Sequence, residues 1–298
     1  MSSDSSSPTL RACTVLVTHP DGSPRPRLPP SPVGDSPNNL SNPSDPSNRD
    51  PRPIIWFDID NCLYSKDAGV DDLMKEKIEN YFEKIGIPSD ESRILRHRYY
   101  TEYGLAIRGL VRHHKVDPLD YDAQCDAALP LENVLKPDPE RQHLLHDIDR
   151  SRFRVWALTN AYVNHATRVL RLLGLAEYFE GVISCDYTAT AGTFSCKPEP
   201  AYYREALAAA NATPDQCYFV DDSALNIKGA HALGWGKCVL FDEHGDQRPK
   251  LGGIDEQATS TTPTDTGSDF QTSEEVRVVG RFTDLRQVWK EVFVQGSG

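Results

Sequence analysis

No run in this chain approaches the ~20 consecutive apolar residues that a membrane helix needs, so no membrane span is expected. The first residues lack the basic start and apolar stretch of a secretory signal. Positive charge is also short: Lys+Arg 32 against Asp+Glu 44 leaves a net charge of −12. That balance argues against a nucleic-acid partner, because phosphate backbones call for a positive footprint. An anionic small ligand would need a metal or a few well-placed cations to offset local repulsion. The seven cysteines include no CxxC pair, and their number is odd. Several sit in apolar runs, where a thiol behaves as a small hydrophobe. They read as reduced thiols of a cytoplasmic or nuclear protein. Internal repeats are absent, and nothing in the sequence indicates an oligomeric state.

Apolar residues are scarce in residues 1–52, which hold eleven serines and half of the 22 prolines. The only apolar patch there is Cys13–Val17. Such a segment buries too little surface to offset its ordering entropy, so a disordered Ser/Pro-rich tail is expected. Its arginines are offset by acids, which disfavours an organelle transit peptide.

What is present begins abruptly at Ile54. Ile54-Ile55-Trp56-Phe57 is a short continuous apolar run, as in a strand buried on both faces. Arg154–Leu158, Val182–Cys185, Cys217–Val220 and Gly236–Phe241 are similar. Helical spacing fills the intervals. Val163–Leu173 is stopped by Gly174, Pro198–Ala210 starts on proline, and Ala224–Leu233 is again ended by glycine. Strands alternating with helices predict an α/β fold, a parallel Rossmann-like sheet covered on both faces. Residues 67–150 contain amphipathic helical patterns (Asp71–Ile85, Asp90–Val111, Tyr121–Ala128) and no strand. They predict a helical cap inserted after the first strand, above the carboxyl ends of the sheet, where ligands bind. The core then comprises 53–66 and 151–294. A polar, Thr-rich stretch at 242–275 predicts a long flexible loop. After it, Glu275–Val279 could return as an edge strand and Asp284–Val294 as a last helix capped by Thr283.

Four chemical signals follow strands. Asp58 and Asp60 leave the first strand two residues apart. One carboxylate suits attack on phosphorus, and the other suits proton transfer to the leaving oxygen and from water. Thr159-Asn160 ends the second strand, where a hydroxyl and N–H groups at a helix N-terminus can hold phosphate oxygens. Lys197 precedes Pro198 at another helix start and can neutralise phosphate as a point charge. Asp221-Asp222 ends the fourth strand, and adjacent carboxylates there call for a hard cation such as Mg²⁺. Taken singly, each has a plainer reading: a solvated acidic pair, a helix cap, a surface lysine.

Together, and in this order, the four signals resemble the haloacid dehalogenase superfamily of phosphatases. From Trp56 to about Phe241 the chain resembles the fungal pyrimidine 5′-nucleotidase family. The strings that carry this are Phe57-Asp58-Ile59-Asp60-Asn61-Cys62-Leu63-Tyr64, Tyr103-Gly104-Leu105-Ala106, Arg108-Gly109-Leu110-Val111, Leu135-Lys136-Pro137-Asp138, Leu158-Thr159-Asn160-Ala161-Tyr162, Cys196-Lys197-Pro198 and Phe219-Val220-Asp221-Asp222-Ser223. The resemblance implies an aspartyl-phosphate on Asp58, with Asp60 as acid/base and its main-chain carbonyl on Mg²⁺. It implies that Thr159 and Lys197 hold phosphoryl oxygens, and that Asp222, with Asp221, completes the metal site. Cys62 stands where many relatives carry threonine or valine, and reads as a packing residue.

The implied activity is Mg²⁺-dependent hydrolysis of a small-molecule phosphomonoester, a nucleoside 5′-monophosphate with pyrimidine preferred. As an acid, Asp60 would need its pKa raised from ~3.9 by about three units. Substrate choice falls to the cap, with Tyr103, Arg108, His113 and His114 as polar candidates and Tyr64 below them. Rival readings are another phosphoester, such as lysophosphatidic acid or a sugar phosphate, a phosphomutase, or a catalytically silent regulatory scaffold. A dehalogenase has no use for an acid at Asp60.

Overall fold

Every residue of Ile54–Phe57 is buried, and the four side chains divide between two cores. Ile55 and Phe57 join the cluster of Val155, Ala157, Val220 and Val239 on one face of the sheet. Ile54 and Trp56 join Trp156, Leu158, Phe219 and Leu240 on the other. This is the alternation of a strand covered on both sides, and it explains why the run is apolar throughout.

The computed structural model describes residues 13–18, 24–26, 49–189, 194–247, 251 and 276–294. In chain order come β1 (Cys13–Thr18), β2 (Pro24–Pro26) and β3 (Ile54–Phe57). Six helices follow: α1 (Val70–Lys84), α2 (Ser89–Tyr103), α3 (Ala106–His114), α4 (Pro118–Gln124), α5 (Leu131–Val134) and α6 (Pro139–His146). Strand and helix then alternate through β4 (Arg154–Tyr162), α7 (Val163–Leu172), β5 (Gly181–Cys185), α8 (Pro200–Ala210), β6 (Cys217–Asp221), α9 (Ala224–His231) and β7 (Lys237–Phe241). The described chain closes with β8 (Arg277–Val279) and α10 (Leu285–Val288). The sheet order is β2-β1-β5-β4-β3-β6-β7-β8, in which the six strands β3 to β8 run parallel with β3 near the centre.

Four expectations change. The tail was expected to be without structure, yet β1 pairs antiparallel with β5, Cys13 opposite Cys185, and β2 folds back on β1. Cys13–Val17 is the tail's one apolar patch and rich in β-branched residues. The open edge of β5 offers it unpaired backbone groups. Residues 1–12, 19–23 and 27–48 of the tail lie outside the described residues. The single helix expected over Asp90–Val111 is two, α2 and α3, broken at Gly104. Gly104 has φ +80°, and a Cβ there would lie 2.9 Å from the Lys197 carbonyl oxygen. The second strand continues to Tyr162, so Thr159 and Asn160 precede the start of α7 by several residues and do not cap it. The last helix is short and is not capped by a Thr283 side chain; a 3-10 turn, Phe282–Asp284, leads into it. Of the loop expected over 242–275, only 242–247 and 251 are described. No described helix is long and apolar enough to cross a membrane.

Candidate active site

Register places the first acid. Phe57 pairs with Ala157 on one side and Val220 on the other, so Asp58, one residue on, is level with Leu158 and Asp221. The Asp58 N–H donates to the Val220 carbonyl at 3.0 Å, extending the ladder by one bond. Lys197 gathers these three strand ends. Its Nζ donates to Asp58 Oδ1 at 2.7 Å, to Asp221 Oδ2 at 2.6 Å and to the Leu158 carbonyl at 2.6 Å. All three ammonium donors are thus satisfied, which permits a lysine to be only 1% exposed. Asn160 fixes the Lys197 backbone: its Nδ2 donates to the Lys197 carbonyl at 2.9 Å, and the Lys197 N–H donates to Asn160 Oδ1 at 2.7 Å. Thr159 Oγ1 accepts from the Ala161 N–H at 3.0 Å and faces the cavity beside them.

Carboxylates crowd this point. Oxygens of Asp58, Asp221 and Asp222 lie within 4.8 Å of one another. Asp221 is fully buried and held by Lys197, by Asn226 Nδ2 at 3.0 Å and by the Ser223 N–H at 2.8 Å. Asp222 faces the cavity, 3.2 Å from Lys66 Nζ. Burial pushes the Asp58 carboxyl well above its ordinary range, against the pull of Lys197 and with the added repulsion of Asp221 and Asp222. Burial and the Asp221 charge lift Asp222 to about 7, despite Lys66. Burial would lower Lys197, but Asp221 and Asp58 more than offset it and keep the ammonium protonated. Three carboxylates share two ammonium groups, so a further cation is accommodated. An all-oxygen donor set fits a hard divalent ion such as Mg²⁺.

Asp60 departs from expectation. Its side chain is not in that cluster, which leaves only its main-chain carbonyl for a metal. Asp60 Oδ1 accepts from the Tyr64 hydroxyl at 2.8 Å and lies 2.8 Å from His165 Nε2. Burial would raise the Asp60 carboxyl, but the His165 charge and these hydrogen bonds hold it below its ordinary value. The reciprocal effect appears on His165. Burial would lower it, yet Asp60 lifts it to about 9. Before a substrate binds, the proton therefore resides on the imidazole of the pair and not on a raised aspartate. Tyr64, expected to meet substrate, commits its hydroxyl to Asp60.

Above these groups lies a cavity of about 560 Å³, walled by the insertion. Asp58, Asp60, Tyr64, Thr159, Asn160, Lys197 and Asp222 reach it from the core. Arg108 does not line it: its Nη1 binds the Tyr103 carbonyl at 2.8 Å and Glu199 Oε1 at 2.6 Å, tying the cap to the segment after Lys197. Tyr103 and His113 pair at 2.9 Å, and Tyr99 and His114 at 2.8 Å, also away from the cavity. The cap instead presents Arg96, Tyr100, Tyr121 and Asp126. Cys62 is fully buried, and burial pushes its thiol well up, as suits a packing residue.

Lys66, His165 and Asp126 escape a reading by motif. Two had a signal. His165 stands in the first turn of the helix after Thr159-Asn160. Asp122 and Asp126 lie one helical turn apart, beside the buried Tyr121 and Cys125, so they put acids on an apolar face.

Residues 53–234, more than half of the chain, match the model of the haloacid dehalogenase-like hydrolases. The chain belongs to that family. It is 34% identical over 200 residues to phosphate metabolism protein 8 of Saccharomyces cerevisiae, covering 64% of this chain and 62% of that protein's length. It is 25% identical over 187 residues to validoxylamine A 7′-phosphate phosphatase of Streptomyces hygroscopicus subsp. limoneus, covering 61% and 82%. Among solved structures, a predicted phosphatase from Clostridium acetobutylicum superposes with a TM-score of 0.55 at 14% identity, over 80% of this chain and 99% of that one. CbbY from Rhodobacter sphaeroides, in complex with xylulose-(1,5)bisphosphate, gives 0.51 at 18% identity, over 78% and 96%. At those identities the two structures establish the fold of this hydrolase and nothing finer.

Proposed function

We propose that this hydrolase cleaves phosphoric monoesters through an aspartyl-phosphate on Asp58, and that its substrates are nucleoside 5′-monophosphates with pyrimidine preferred. The observation that carries the reading is Lys197 bridging Asp58 and Asp221 at the ends of adjacent parallel strands. Phosphoryl transfer calls for alignment and charge neutralisation, and this arrangement supplies both. An Asp58 oxygen attacks phosphorus as the bond to the leaving oxygen breaks. That oxygen takes a proton through Asp60, supplied by the Asp60–His165 pair. Water then attacks the phosphorus of the acyl phosphate and gives a proton back to Asp60. Phosphate leaves as the bond to Asp58 breaks. Thr159 holds a phosphoryl oxygen, while Lys197, its three donors engaged by Asp58, Asp221 and the Leu158 carbonyl, supplies positive charge beside the phosphoryl group.

Asp58, Asp222 and the Asp60 carbonyl would hold Mg²⁺, with Asp221 behind them. Bound there, the ion would neutralise charge on the phosphoryl group. Haloacid dehalogenase-like hydrolases generally use Mg²⁺, and the acidic cluster supports the same requirement here. The names of the two relatives, one of phosphate metabolism and one a phosphatase, support a phosphoester substrate.

The test is phosphate release with Mg²⁺ from UMP, CMP, AMP, GMP, sugar phosphates and lysophosphatidic acid, with Asp58→Asn as the blank. Faster release from UMP and CMP is expected. Equal rates for purine and pyrimidine nucleotides would remove the base preference. Rates no higher than the blank on every substrate would remove the phosphatase.

A further inference from the structure

Among the described residues, none hydrogen-bonds to Asp126 Oδ2. Asp126 follows α4, is 6% exposed, and lines the cavity. Its Oδ2 is closed off from solvent. Burial lifts its carboxyl to about 7, with His165 pulling down and Asp122 and Asp60 pushing up. A buried carboxyl oxygen without a donor costs stability, so its place on the cavity wall points to a partner from outside the protein.

Its surroundings indicate which partner. Ala106, Ile107, Tyr121 and Tyr187 line the same cavity and offer mainly apolar surface. His165 Nε2 is engaged by Asp60, while its buried Nδ1 has no hydrogen-bond partner among the described residues. The charge of Asp126 acts on that imidazole, which also holds Asp60. In the reaction proposed above, Asp60 meets the leaving oxygen. A substrate group facing Asp126 is therefore on the leaving group, beyond the ester oxygen.

We propose that Asp126 is a specificity-determining residue, accepting a hydrogen bond from a hydroxyl or amine on the organic part of the phosphomonoester. It thereby selects sugar- or ribose-bearing substrates over plain aryl or alkyl phosphates. A site built to bond a hydroxyl rejects analogues without one, because its buried polar group is then left unpaired. This proposal rests on the phosphomonoesterase reading.

The experiment compares kcat/KM of the full chain with Mg²⁺ for UMP, ribose 5-phosphate and 2-aminoethyl phosphate against phenyl phosphate, whose leaving group carries no extra donor. Asp126→Leu is expected to lower the values for the donor-bearing substrates by about 10- to 100-fold, the range for a hydrogen bond to a charged group. Phenyl phosphate should change less than about threefold on the same basis. Asp126→Asn, which keeps size and an acceptor oxygen, should show a smaller loss with the same selectivity. It also serves if the leucine variant does not fold. A loss equal across all four substrates, or no loss on any, overturns the proposal. Failure of the underlying reading looks different: wild type would then match Asp58→Asn on every substrate, phenyl phosphate included.

Discussion

Lys197 and Asp221 meet at 2.6 Å with almost no solvent access to either side chain. Removing one partner of such a pair leaves an uncompensated buried charge, a loss of roughly 3–5 kcal/mol. Here Asp58 would be stranded as well. Lys197→Met is therefore expected to lower stability by at least that range in urea unfolding without metal, and to abolish phosphate release. Wild-type stability in Lys197→Met would show that the bridge contributes nothing to the fold.

His165 and Asp60 predict a pH dependence of stability. The folded imidazole titrates at about 9 against an ordinary 6.5. Its contribution is fully present below pH 6.5 and is lost as pH rises through about 9. The gap corresponds to about 3 kcal/mol. Unfolding free energy in EDTA should fall across that window in wild type and stay flatter in His165→Gln. The same slope in both would assign the fall to other groups.

Gly104 joins α2 to α3 at φ +80°, where an added Cβ would also lie 3.0 Å from Cys196 Sγ. Gly104→Ala is expected to cost about 1–2 kcal/mol from the backbone conformation alone. Because the contact is with the segment carrying Lys197, kcat/KM should fall more than the stability loss explains. Unchanged kinetics would mean that this segment yields freely.

Asp222 and the bound ion give a linkage prediction. An ion that binds only the folded chain stabilises it by about 2.7 kcal/mol at a concentration 100 times its Kd. Mg²⁺ should raise the wild-type unfolding midpoint and leave Asp222→Asn unmoved. The variant alone should be no less stable than wild type without metal, since its carboxyl is crowded by Asp221. A Mg²⁺ response retained in Asp222→Asn would place the ion elsewhere.

Much of this molecule was legible in one dimension. The continuous apolar runs at Ile54, Arg154, Val182, Cys217 and Lys237 are strands because only a sheet covered on both faces buries every residue of a run. Acids, hydroxyls and Lys197 just beyond them mark the carboxyl ends for the same local reason. The cap was less legible. Helical periodicity does not register a glycine placed for a contact 93 positions away, between Tyr103 and Cys196, so α2 and α3 read as one helix.

Hydrogen-bond partners belong to the tertiary structure alone. Nothing adjacent in sequence pairs His165 with Asp60, 105 positions apart, or turns Arg108 away from the cavity toward Glu199. The direction of the Asp60 shift follows from that pairing. Burial by itself raises a carboxyl, and here the His165 charge and the hydrogen bonds of His165 and Tyr64 reverse the sign. Residue types and strand ends were thus determined by the sequence itself, because apolar patterning is local. Charge state, cavity lining and the burial of Asp126 were decided by the fold, because electrostatics and burial depend on what distant segments bring together.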